Sequence, residues 1–203
     1  MKRIMERFSL YDIIVIAMMA ALGIAVKAVI QPLAQVITGP LFIPGGAVAG
    51  GIYMLFIVLG YAIVRKRFTA LLICIVQAII VMATGTFGSQ GIMSIVIYAL
   101  PGIGVEVLFF LTRLGRTSEK PLSSIECFAG GIVANIMGSV MVNFTYFNLP
   151  PVPLLLVICA SALSGGLGGV LAYALSKQVN RLNPDHKKEE EDIDIETDQK
   201  EPV

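Results

Sequence analysis

Apolar residues run through this chain in long stretches broken by short polar or basic segments. Runs of about 20 apolar residues have the length needed to cross a bilayer as a helix, and the pattern predicts six of them. Helix 1 is expected from about Tyr11 to Ile30 and helix 2 from about Ile43 to Val64. Helix 3 is expected from about Phe68 to Ala83, helix 4 from about Ile92 to Leu111, helix 5 from about Leu122 to Tyr146 and helix 6 from about Leu154 to Lys177. Gln31-Pro32 is expected to end helix 1, because proline disfavours helix in the residue before it. The segments at 31–42, 84–91 and 147–153 carry glycine or proline and read as loops. The fold class is therefore an all-α integral membrane protein, a compact bundle of six transmembrane helices.

Charge orients the bundle. Lys2, Arg3, Arg7, Arg65, Lys66, Arg67, Arg113, Arg116, Lys120, Lys177, Arg181 and the three tail lysines all fall on one side of a six-helix arrangement. The loops at 31–42, 84–91 and 147–153 hold no lysine or arginine. The positive-inside rule then places both termini in the cytoplasm and these three loops outside. The expected location is the plasma membrane, with several crossings.

Composition agrees with the pattern. The 203 residues are 56% hydrophobic, where soluble domains lie near 45–50%. The formal net charge of +1 hides an asymmetry. After Asn183 the chain holds nine of its fourteen acids, while residues 1–182 carry five acids against twelve lysines and arginines. The division expected is a membrane domain over 1–182 and a disordered acidic cytoplasmic tail over 183–203. The basic residues sit between hydrophobic spans, which speaks for lipid topology and against nucleic acid.

Catalytic chemistry finds no foothold. The single histidine, His186, is in the tail, and no Ser/His pair, HExxH or paired aspartates lie in a span. A phosphate loop would need lysine and serine or threonine at the proper offset after its glycines, and this is absent. Cys74, Cys127 and Cys159 lie in separate apolar segments without paired spacing, so neither a disulfide nor a metal site is inferred. The chain is not read as an enzyme, and no cofactor or metal is expected.

The polar residues inside the spans are the candidates for function. Lys27 lies about 16 residues along helix 1, roughly 24 Å from its inner start at 1.5 Å per residue. It is the only basic residue that belongs to no loop or terminus. Such a group either snorkels to the interface or marks a functional site. Gln31, Gln90, Asn135, Asn143 and Tyr146 are expected at the depth of Lys27, toward the uncharged outer side, with Tyr53 and Gln77 somewhat deeper. Amides, hydroxyls and aromatic rings suit a small polar, ring-containing ligand, although each alone also suits a helix-to-helix hydrogen bond. Glu106, inside helix 4, reads either as a partner of Arg113 or a basic loop, or as a ligand contact. Lys27, Gln31, Gln77, Gln90, Glu106, Asn135, Asn143 and Tyr146 form the candidate binding set. Ala17, Ala21 and Ala25 recur every fourth residue and line one face of helix 1. That stripe suits close packing, either within the bundle or against another protein's helix. Gly46/Gly50, Gly130/Gly131 and Ser164 to Gly169 mark further close helix crossings.

Six helices in about 180 residues, both termini inside, and alanines at 17, 21 and 25 resemble the substrate-binding S components of energy-coupling-factor (ECF) vitamin transporters. Thr86 to Gly91, Leu100 to Glu106 and Phe42 to Gly46 look like the subgroup that handles thiamine or its hydroxymethylpyrimidine precursor. The resemblance implies a membrane subunit that captures a small water-soluble vitamin or precursor from outside for ATP-driven uptake. It implies a transmembrane T subunit and two cytoplasmic ATPases as partners, with Ala17, Ala21 and Ala25 packing on the T subunit. Two other classes stay open: a stand-alone ion-coupled carrier or channel, and a ligand-free membrane scaffold.

Overall fold

The computed structural model describes residues 8–41, 43–85, 93–113 and 121–182. Gln90, the segment 86–92 and the acidic tail therefore lie outside the described residues. Six α-helices follow in order: α1 Leu10–Thr38, α2 Gly45–Val64, α3 Thr69–Thr84, α4 Met93–Thr112, α5 Ser124–Val142 and α6 Pro151–Leu182. A 3-10 turn, Gly39–Leu41, follows α1, and a π-turn, Asn143–Phe147, follows α5. Five of the helices are long and apolar enough to cross a membrane, and α3, with 16 residues, is a shorter apolar helix. The expected all-helical bundle is the observed one.

Helix α2 is the hub. It packs against α1, α3, α5 and α6, while α3 and α4 pair and α4 leans on α5. Its residues Leu55, Ile57, Val58 and Leu59 are buried, with Ile73 and Cys74 of α3 and Val105 and Phe109 of α4 in the same core. Tyr61 stacks on Phe109 with ring centroids 4.5 Å apart. The outward faces carry Leu22, Val29, Ile79, Leu111 and Leu163 in the open, as lipid-facing positions require. Against lipid, helices gain from close van der Waals contact instead of from hydrophobic burial. The α5–α6 crossing shows this. A methyl group on Gly131 would land on the backbone of Gly165 and Gly169, so the two helices touch main chain to main chain.

Polar caps fix the helix ends on the side of the basic loops. At α5 the Ser123 amide donates to Glu126 Oε2 at 2.7 Å and the Glu126 amide to Ser123 Oγ at 3.2 Å, a capping box. At α1 the Ser9 amide donates to Asp12 Oδ2 at 2.8 Å. Lys66, in the α2–α3 turn, also donates to Asp12 Oδ2, at 2.7 Å. Asp12 thus pins the start of α1 to that turn.

The structure corrects one boundary. Helix α1 does not stop at Gln31-Pro32 but runs through Pro32 to Thr38. Proline removes one helical hydrogen bond, and transmembrane helices accept this where neighbours compensate. Beyond Pro32, Thr38 Oγ1 donates to the Ala34 carbonyl at 3.0 Å. Gln35 Oε1 accepts from the Gly45 amide at 2.6 Å, fastening the added turns to the start of α2. Helix α6 is also longer than expected, beginning at Pro151 in its first turn, where proline needs no helical partner for its nitrogen.

Candidate functional site

Five helices enclose a cavity at the end of the bundle where α1 finishes and α2 starts. About 90 Å³ of it is open to the centres of water-sized molecules, several times what one water needs. Because α1 continues past Pro32, Lys27, Gln31 and Gln35 recur at intervals of four on one helix. All three line the cavity. Opposite them stand Gly45, Gly46 and Tyr53 of α2, Gln77 of α3, Tyr98 of α4, and Asn135 and Ser139 of α5. Met54, Ile57, Ile97, Pro101, Val142 and Phe147 give apolar walls.

Lys27 is held by aromatic side chains. Its Nζ donates to Tyr98 Oη at 2.6 Å and lies 4.2 Å from the Tyr98 ring centroid and 5.3 Å from that of Tyr53. An ammonium near ring faces gains from their negative quadrupole. Among the described residues, Lys27 is the only charged side chain in the lining. Tyr53, itself buried, donates from its hydroxyl to the Gly46 carbonyl at 3.2 Å. Gln77 is buried, and its amide occupies space over Gly23 of α1 that any larger residue would fill.

The floor is a buried polar knot. Asn135 Nδ2 donates to the Ala47 carbonyl at 3.1 Å and to the Ser161 carbonyl at 2.9 Å, joining α5 to α2 and α6. Ser161 Oγ donates to Ser139 Oγ at 2.8 Å. Satisfied networks of this kind hold one arrangement in place. By contrast, Gln31 Oε1 is buried and has no hydrogen-bond partner among the described residues. Leaving such an acceptor unmatched costs about 1–3 kcal/mol.

Of the eight candidates, Lys27, Gln31, Gln77 and Asn135 come together in the cavity. Gln90 lies outside the described residues. The other three are elsewhere. Glu106 accepts from the Ala70 amide at 2.7 Å, so it caps the start of α3. Unmatched amides at that end attract a carboxylate. Asn143 is buried, but its Oδ1 accepts from the Leu149 amide at 3.1 Å and closes the α5–α6 turn. Tyr146 is 47% exposed on the outside. The π-turn shifts the register there, and Val142 and Phe147 face the cavity instead. Tyr98 and Ser139 also line the cavity, beyond the set the sequence singles out. Ser94, Tyr98, Pro101 and Val105 follow helical spacing along the buried face of α4, and that was the signal for Tyr98.

The stripe of alanines lies away from the cavity. Ala17, Ala21 and Ala25 are all exposed, while Ala20, Gly23 and Ile24 face the core. Ala25 and Lys27 are about 200° apart around the axis at 3.6 residues per turn.

Residues 11–137 match the model of a family described as "ABC-type cobalt transport system, permease component". The chain belongs to this family. It is a multi-pass membrane protein of an ABC-type transport system. Its fold is also that of a solved structure described as "Crystal structure of an S-component of ECF transporter". The two share 22% identity with a TM-score of 0.72, over 97% of this chain and 100% of the other. No curated protein matches the chain.

Proposed function

We propose that this protein is the substrate-binding subunit of an ECF-type importer. It takes up a small water-soluble vitamin or vitamin precursor from outside, and thiamine or its hydroxymethylpyrimidine precursor fits best. The observation that carries the reading is the cavity itself. It combines one lysine, amides, hydroxyls and two tyrosine rings inside a bundle with the S-component fold. Binding sites for small organic ligands are concave, with a few convergent polar groups.

A divalent metal as cargo suits this lining poorly. Imidazole, thiolate and carboxylate hold such ions, and none of these lines the cavity among the described residues, whereas Lys27 does. An ion-coupled carrier would need an acid to couple in the spans. Glu106 is engaged in capping α3, and Asp12 pairs with Lys66.

In this reading both termini are cytoplasmic and the cavity opens outward. Exposure of Ala17, Ala21 and Ala25 supports their role as the docking face for a transmembrane T subunit. Two cytoplasmic ATPases then supply the energy for release.

The test is mass spectrometry of small molecules released on denaturing the purified protein, joined to a thermal-shift panel of vitamins and precursors. A stoichiometric organic compound, with a matching rise in melting temperature, is expected. No released compound and no response to any panel member would overturn the reading.

A further inference from the structure

We propose that Gln31 and Lys27 form a recognition pair that reads one edge of the ligand. The ligand presents an N–H donor to Gln31 Oε1 and a hydrogen-bond acceptor to Lys27 Nζ. This inference rests on the binding-subunit reading and deepens it, because it assigns the chemistry of the substrate's recognised edge.

Two independent observations meet in it. Gln31 Oε1 is a buried acceptor without a partner among the described residues, and Gln31 lines the cavity. A ligand donor placed against it recovers the hydrogen bond that the described residues leave unmade. One helical turn away, Lys27 offers the complementary group. An ammonium carries three donors and no acceptor, and Tyr98 Oη accepts from it at 2.6 Å. A ligand acceptor can share the Lys27 donors with Tyr98. Residues four apart on a helix stand about 5–6 Å from each other at Cβ, so both side chains can reach one ring.

The chemical class follows. The recognised edge belongs to a heterocycle carrying an amino or ring N–H donor beside a ring nitrogen or oxygen acceptor. A fixed positive charge on the ligand is turned away from α1 by Lys27. An aminopyrimidine edge meets both conditions. A purely anionic edge would satisfy Lys27 but leave Gln31 Oε1 unmatched.

The experiment uses the full chain in lipid nanodiscs and two probes, 4-amino-5-hydroxymethyl-2-methylpyrimidine and its 4-desamino analogue. Calorimetric titration of wild-type protein is expected to favour the amino compound about tenfold, the range of one well-placed hydrogen bond. Gln31→Met removes the acceptor and should bring the two probes to within about threefold of each other. Gln31→Glu keeps an acceptor at that position and should retain discrimination. Lys27→Met should weaken both probes alike. Unchanged discrimination in Gln31→Met, or a wild type that binds neither pyrimidine, overturns the pair. Binding of both pyrimidines regardless of residue 31 overturns the pair and leaves the capture reading standing. Failure of every vitamin and precursor in the panel overturns both.

Discussion

Lys27 and Tyr98 meet from α1 and α4 with 2.6 Å between Nζ and Oη, and Lys27 Nζ also lies 4.2 Å from that tyrosine's ring centroid. The contact closes one wall of the cavity and sets where the Lys27 Nζ stands. Tyr98→Phe keeps the ring and removes the oxygen. A hydrogen bond to a charged group contributes about 1.5–3 kcal/mol, so stability in detergent should fall by about that amount. Ligand affinity should fall as well, because Lys27 loses its anchor. Chemical unfolding and ligand titration of the same variant check both. Unchanged values for the two would show that the contact is dispensable.

Glu106 predicts the opposite separation. It sits at the start of α3, accepting from the Ala70 amide. Glu106→Ala should cost about 1–2 kcal/mol, the range for lost helix caps, and leave affinity for the ligand as it was. A large loss of affinity at full stability would return Glu106 to the binding site.

Gly131 probes the α5–α6 crossing. A side chain there meets the Gly165 carbonyl and the Gly169 amide, both main chain. Overpacking typically costs about 1–3 kcal/mol, and more where only backbone can yield. Gly131→Leu should therefore lower the melting temperature sharply and broaden the size-exclusion profile. Wild-type behaviour would mean that the helices slide apart without penalty.

Ala21 separates capture from transport. Its side chain is exposed on the face of α1 that carries Ala17 and Ala25. Ala21→Trp should leave folding and ligand binding unaltered in the isolated chain. Uptake by vesicles that also contain the T subunit and ATPases should be lost. Full uptake in that variant would remove the stripe from the docking role.

The fold was largely legible because its signals are coarse. Six apolar runs and the segregation of lysine and arginine need no side-chain detail. The candidate site is legible only in part, and for local reasons. Gln31-Pro32 reads as a stop, yet the helix continues to Thr38, and Gln35 ties the added turns to the Gly45 amide. That difference keeps Gln31 and Gln35 in helical register with Lys27. Asn143 and Tyr146 were placed by simple depth, and the π-turn after Val142 alters the register at that end. Glu106 reads from the sequence either as a partner of Arg113 or a basic loop or as a ligand contact, because a carboxylate in a span is conspicuous. Its partner is a main-chain amide 36 positions away, which no spacing within its own helix reveals. Tyr98 was within reach, since its interval of four from Ser94 marks the buried face.

Helix α1 is tied down at two points only a few residues from its ends. Asp12 meets Lys66 at one, and Gln35 meets the Gly45 amide at the other. Between these residues lie about 35 Å of nearly continuous rod at 1.5 Å per residue. A rod of that length is a lever. A tilt of about 5° about the Asp12 end would carry the Gln35 end through roughly 3 Å, by the same rise per residue. Movement of that size exceeds the reach of the Gln35–Gly45 hydrogen bond, so that fastening must break before α1 swings. The exposed alanines ride on the same rod, and any tilt at the cavity mouth would be felt along their face.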